Sequence, residues 1–175
     1  MRKIIALLFV FWVFVGYSQE SFILGDKSAL TISGTSTVHD WKVDATSIDG
    51  SLERSSHEIK TLIIKVPVLD IKSERGASMD AKMHKALKSE EYPEVIFSIL
   101  DLKHNLVKGN LVIAGTTNMV EVEVMIVKSK NEITIKGTKE VKLQDYGMEP
   151  PTAMFGQIIV GDIVTVNFDL VFVNE

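Results

Sequence analysis

Cysteine is absent from all 175 residues. No disulfide framework, thiol nucleophile or cysteine metal site is available, so stability must come from packing alone. Histidine is nearly as scarce. His39, His57, His84 and His104 are the whole supply, and no two stand at i, i+2 or i+4, the spacings that put two imidazoles on one face of a strand or helix. There is no Gly-x-Ser-x-Gly elbow, no glycine-rich phosphate loop and no His-Glu-x-x-His. The paired carboxylates Glu90-Glu91 and Glu121/Glu123 fall at a corner and on the polar face of a strand, where they read as solvated surface. A basic stripe is also lacking: the formal charge is −4, which argues against a nucleic-acid partner.

At the N-terminus Arg2 and Lys3 precede an unbroken apolar run, Ile4 to Val15, followed by the small residues Gly16 and Ser18. That is the layout of a secretory signal cleaved after Ser18, and the run is short for a bilayer span. An uncleaved anchor is the alternative. Cleavage removes two of the 19 basic residues and no acid, leaving 17 against 23 and a formal charge of −6 on residues 19–175. The remainder is expected to form one domain, to dock on no anionic membrane by charge and to keep no stable membrane span. Its oligomeric state is left open, a homodimer included.

What remains is mostly alternation of apolar and polar residues, the period of a half-buried strand. His39, Trp41, Val43 and Ala45 share one face of a run from Thr37 to Ala45 that follows a shorter run, Leu30 to Ser33. Asp49-Gly50 reads as a turn and Arg54 to Glu58 as a loop. Leu62, Ile64, Val66 and Val68 alternate with Ile63, Lys65 and Pro67, and the proline suggests a sheet edge or bulge because it cannot donate to a ladder.

One stretch has a different period. Met79, Met83 and Leu87 fall at i, i+4 and i+8, with Ala86 widening the stripe, Ser78 as a candidate cap and Asp80 in the first turn. Lys82, Lys85 and Lys88 are expected to face away, and His84, one position off the stripe, to sit at a rim. Tyr92-Pro93 ends the helical potential. Strands then resume. Val95, Phe97 and Ile99 form one inward set. Val107, Gly109, Leu111 and Ile113 form the next, followed by Val120, Val122, Val124 and Ile126. Lys130-Asn131 reads as a hairpin tip leading to Ile133 and Ile135. The segment Lys142 to Phe155, with Tyr146-Gly147 and Pro150-Pro151, is long enough for a functional rim. Gly161-Asp162 reads as a tight hairpin before a last strand with Val164, Val166, Phe168, Leu170 and Phe172 on one face.

About eight alternating strands with short turns point to an all-β antiparallel barrel or sandwich carrying one short helix. A barrel of that size holds side chains alone or one small elongated ligand. If it holds a ligand, the inward sets nominate the cavity and its rim: His39, Trp41 and Val43, then Leu62, Ile64 and Val66. From the helix come Met79, Met83 and Leu87, and from the later strands Val95, Phe97, Leu111, Val122, Val124, Ile135, Val166 and Phe168. His39 reads either as a core histidine or as a polar group meeting a ligand's head. Met79 and Met83 read either as core or as an adaptable contact surface.

Four segments carry a family resemblance: STVHDW (Ser36–Trp41), MHKALKSEEYPEVIFSI (Met83–Ile99), GNLVIAGTTNMVEVEV (Gly109–Val124) and VGDIVTVNFDL (Val160–Leu170). In order and spacing the chain resembles the YceI-like family of exported bacterial proteins. The resemblance implies a lipocalin-like, extended antiparallel eight-stranded barrel whose apolar interior binds a polyisoprenoid or isoprenoid quinone. It also implies a periplasmic or secreted location, no required cofactor or metal, and no enzymatic activity. The Trp41-containing strand replaces a more usual Phe/His-rich run, and the Lys142–Phe155 loop is this chain's own. Two other readings stand beside the lipid-binding one: a filled, stress-related barrel serving as a structural or interaction module, and an enzyme on the same scaffold, which would need His39 near a carboxylate or hydroxyl in a wet pocket.

Overall fold

The computed structural model describes residues 19–153 and 156–174. The expected signal, residues 1–18, lies outside them, as does Phe155 at the end of the long loop.

In chain order the strands are β1 (Gln19–Leu24), β2 (Ala29–Ser36), β3 (Trp41–Ala45), β4 (Asp49–Ser55) and β5 (Glu58–Pro67). A 3-10 turn (Val68–Asp70), β6 (Ile71–Ser73) and helix α1 (Ala77–Ala86) follow. Then come β7 (Glu94–Lys103), β8 (Leu106–Ile113), β9 (Thr116–Lys128), β10 (Glu132–Lys142), a second 3-10 turn (Leu143–Tyr146), β11 (Thr152–Ala153) and β12 (Ile158–Asn174). Two-residue connections join β4 to β5, β7 to β8 and β8 to β9. Ser56, His57, His104, Ala114 and Gly115 there take positive φ, as such tight hairpins require.

Eight strands, β1-β4-β5-β7-β8-β9-β10-β12, close into an antiparallel barrel because β12 pairs back onto β1. The long β12 is its spine. One edge pairs with β10 from Ile163 to Val173, while the other pairs with β1 near its C-terminal end and with β2 over Val160 to Asp169. Strands β2, β3 and β6 extend the sheet beyond the ring at that second end.

The two ends differ in side-chain size. At the closed end Phe22 faces Leu52 and Leu52 faces Leu62 across adjacent strands, while Ile133 and Leu24 both face Phe172. Phe22, Leu52, Ile133 and Phe172 are essentially inaccessible to solvent and fill the lumen there. Arg54 seals the outer rim. Its Nε donates to Glu20 Oε2 at 2.6 Å and its Nη1 to the Ser129 carbonyl at 3.1 Å, with the guanidinium 4.9 Å from the Phe22 ring centre.

At the other end the wall has two breaks. The β5–β7 ladder stops at Pro67–Glu94, and α1 packs against β6 and the first 3-10 turn beside that break. The β9–β10 ladder covers only Val124 to Lys128 against Ile133 to Gly137. Beyond it the second 3-10 turn packs against β9 and β12, held by Asn118 Nδ2 donating to the Asp145 carbonyl at 2.8 Å. Leu143, Tyr146 and Met148 bury themselves there in a second apolar cluster, and that burial raises the Tyr146 phenol above its ordinary pKa.

Several local expectations change. Asp49-Gly50 opens β4 rather than turning the chain, and Arg54 lies inside that strand with the turn at Ser56-His57. Pro67 is not on an edge strand. It is the last residue of a strand flanked on both sides, where its missing N–H ends the ladder harmlessly. Gly161-Asp162 is a bulge within β12, not a hairpin: between Val160 and Val164 three residues of β12 oppose one of β2, Thr35. Gly161 there lets Thr35 approach to where a Cβ would sit, and Asp162 Oδ1 accepts the Gln144 N–H at 2.9 Å, joining the bulge to the second 3-10 turn.

Candidate functional site

Between the filled end and the helix lies a cavity of about 400 Å³, within the range of small-molecule sites. Its lining is almost wholly apolar and comes from every ring strand except β1 and β4, whose large side chains fill the opposite end. The interior is therefore not packed solid.

Period-two alternation explains which residues reach it. From β5 come Leu62, Ile64 and Val66, from β7 Val95 and Phe97, and from β8 Leu111. Strand β9 supplies Val122 and Val124, β10 supplies Ile135, and β12 supplies Val166 and Phe168. Helix α1 contributes Met79, Met83 and Leu87, while His39, Trp41 and Val43 complete the nominated set along the lining. Sequence reasoning missed Leu143, Met148, Pro151, Ile158 and Val160, which the long loop and the start of β12 bring to the same space. Only folding of that loop into the β9–β10 break places them there. It also missed Lys139, although the alternation Ile133, Ile135, Lys139, Val141 carried the signal.

Three aromatic rings pack close against the wall where a glycine leaves room for each. A Cβ on Gly34 would fall 2.5 Å from the Trp41 ring. One on Gly109 would clash with the Phe97 ring, and one on Gly137 would lie 2.6 Å from Phe168. The Trp41 indole is further held by donating to the Thr35 carbonyl at 3.0 Å. Rings seated this way leave the lumen open. Gly137→Ala is expected to push Phe168 inward and weaken binding of any apolar guest by about tenfold, equivalent to one or two lost methylene contacts. Titration with an apolar fluorescent probe checks this, and an unchanged affinity would count against the seating role of the glycine.

The helix differs from its expected form. Gly76, not Ser78, is the N-cap, and no side chain caps the first turn. Asp80 instead accepts the Ser73 backbone N–H at 2.7 Å, and His84 Nε2 donates to the Ile71 carbonyl at 2.9 Å. Both are buried, so His84 is no rim residue: i and i+4 on one face tie the helix to β6. Lys82 is solvent-exposed, as expected, but also borders the cavity mouth. At i+3 from Met79 it joins Met79, Met83, Ala86 and Leu87 on the face lining the cavity.

His39 is not on a strand, since β3 begins at Trp41. It occupies a turn in which Ser36 Oγ accepts the His39 N–H at 3.2 Å and donates to the His39 carbonyl at 2.7 Å. Its ring lies between Arg75 and the Asp40 carbonyl, the latter 3.0 Å from Nδ1. A guanidinium has only donors, so Nε2 must accept from Arg75 and Nδ1–H must donate to Asp40. Neither partner is a carboxylate or a hydroxyl. Among the described residues no group of three or more His, Cys, Asp or Glu side chains is placed to hold a metal ion.

A closed eight-stranded antiparallel barrel around an apolar cavity, with one short helix lining it, is a lipocalin-like architecture. A profile of the YceI-like domain matches residues 23–172, and the chain belongs to that family. No curated protein sequence matches it. Among solved structures, a polyisoprenoid binding domain from Saccharophagus degradans implicated in plant cell wall breakdown superposes with a TM-score of 0.73 at 13% identity, over 90% of this chain and 100% of that one. Burkholderia cenocepacia BcnA gives 0.67 at 18% identity over 83% and 96% of the two chains. The Campylobacter jejuni YCEI protein gives 0.61 at 18% identity over 76% and 84%. At these identities the likeness establishes the shared fold.

Proposed function

We propose that the protein is an exported, non-catalytic binding protein that holds an isoprenoid-type lipid, a polyisoprenoid or an isoprenoid quinone, with its tail inside the barrel. The observation that carries this reading is the continuous apolar cavity, lined by inward side chains of six ring strands and by the helix. Membership of the YceI-like family and the fold shared with a polyisoprenoid binding domain support it. Burying several hundred Å² of tail at about 25 cal/mol per Å² supplies on the order of 10 kcal/mol before ordering costs, enough for stable retention without charged contacts. Binding of this kind needs no metal or cofactor. The ring of His39, engaged by Arg75 and a backbone carbonyl, has no carboxylate to orient it as a base.

Export rests on the leader-like residues 1–18, with cleavage after Ser18 leaving a chain that starts at Gln19. Among the described residues no helix is long and apolar enough to cross a membrane.

Protein purified from its native host should have a mass matching a start at Gln19, and organic extraction should release an isoprenoid lipid visible by mass spectrometry. Added isoprenoid quinone should raise the melting temperature of the lipid-stripped protein. No extracted lipid together with an unchanged melting temperature would remove the proposal.

A further inference from the structure

The two breaks in the wall are stopped with unequal strength. At the Pro67–Glu94 break α1 is tied to β6 by two buried side chains, Asp80 accepting the Ser73 N–H at 2.7 Å and His84 donating to the Ile71 carbonyl at 2.9 Å. At the β9–β10 break the stopper is the second 3-10 turn and the residues just after it. Among the described residues its hydrogen bonds to the barrel strands lie at the surface: Asn118 Nδ2 donates to the Asp145 carbonyl at 2.8 Å, and Asp162 Oδ1 accepts the Gln144 N–H at 2.9 Å. Water competes for such bonds, so each holds the turn only weakly. No ladder reinforces them, because β9 pairs with β10 only from Val124 onward and its stretch from Thr116 to Glu123 is paired on the β8 side alone.

This break runs along the cavity. Val120 and Val122 of β9 and Val141 of β10 line the lumen on its two sides, and Leu143 and Met148 of the stopper complete the lining there. Thr116 to Glu123 spans roughly 25 Å at about 3.3 Å per residue, long enough for a tail to pass sideways instead of threading lengthwise. Leu143, Tyr146 and Met148 also pack in an apolar cluster apart from the main core. The segment can therefore lift while the closed end stays packed, as a locally opening unit does.

We propose that the Leu143–Met148 segment is a side gate, whose displacement opens a portal between β9 and β10 through which an apolar tail enters and leaves the lumen. The inference rests on the tail-binding reading above and adds the route by which the lumen is reached.

Exchange of geranylgeraniol with lipid-stripped protein is followed by stopped-flow fluorescence of Trp41, the one tryptophan among the described residues and part of the lining. Traffic through a rarely open gate has rates proportional to the open population, so loosening the gate speeds entry and exit alike and leaves affinity unchanged. Asn118→Ala/Asp162→Ala removes both surface ties and alters no lining residue. Both rate constants should rise about tenfold, the effect of two lost surface hydrogen bonds, while Kd stays within about twofold of the wild type. The converse is a lock. The chain has no cysteine, so Asn118→Cys/Asp145→Cys supplies a unique thiol pair across the gate. Joining it with a short bismaleimide should slow both rates at least about tenfold relative to the same variant unjoined. A locked protein that exchanges as fast as the unlocked one overturns the gate, as does a loosened one with wild-type rates; the tail then passes by the helix-side end and binding itself is intact. A change confined to the dissociation rate, with Kd altered in step, makes the two ties part of the binding surface and overturns the gate as well. If geranylgeraniol does not bind the wild type, the tail-binding reading fails and the gate with it.

Discussion

Phe172→Ala is expected to cost about 3–5 kcal/mol of folding stability, read as a fall of roughly 2 M in the urea midpoint with little change in slope. Phe172 has no solvent exposure and sits at the seam where the barrel closes. Its neighbours in register are Leu24 on β1 and Ile133 on β10, and Phe22 and Leu52 lie in the same core. Removing the ring leaves a void among side chains that are themselves held by paired backbone on both sides, so collapse to refill it is limited. A loss of this size is a large share of the 5–15 kcal/mol typical of a domain. The matched comparison is Phe168→Ala, four residues earlier on the same strand. That ring is half-buried and borders the existing cavity, so less packing is lost. Equal costs for the two phenylalanines would mean that the closed end is not the more tightly packed region.

Met83→Ser combined with Leu87→Ser should weaken retention of an isoprenoid probe by tenfold to a hundredfold, about 1.5–3 kcal/mol for apolar surface the tail would otherwise cover. The unliganded protein should lose far less. Both side chains are half-buried and line the cavity, while the helix is tied to β6 by Asp80 and His84, which the substitutions leave alone. Competition titration and thermal unfolding of the same variant separate the two effects. If stability and binding fall by equal free energies, Met83 and Leu87 are ordinary core and the helix is not a binding element.

Much of the wall was legible because a strand's period is local. Leu62, Ile64 and Val66, or Val122 and Val124, announce an inward face without reference to any partner. The resemblance carried by the four segments supplied the closed eight-stranded form that alternation alone left open between barrel and sandwich. The misreadings share a cause. Gly161-Asp162 has the composition of a hairpin, but β12 pairs with β2 at Val160 before it and again from Val164 after it, so the ladder holds a bulge where an isolated segment would turn. Lys82 was assigned to solvent by its charge and is exposed; what was missed is that its position three residues after Met79 also places it at the cavity's edge. His84 was judged by distance from the apolar stripe, when a polar bond to the Ile71 carbonyl decided its burial.

By itself the sequence determined an all-β chain of alternating strands, one helix with an apolar stripe, an interior of aliphatic and aromatic side chains, and the lack of thiol chemistry. Each follows from residue type and from periods that close within a few residues. Only the tertiary structure decided which end of the barrel is filled and which is open. It alone set the aromatic rings on their glycines, stopped the β9–β10 break with the loop around Tyr146, and brought His39 to Arg75, 36 residues along the chain. Those outcomes depend on strand register and barrel closure, which join residues whose separation along the chain carries no local signal.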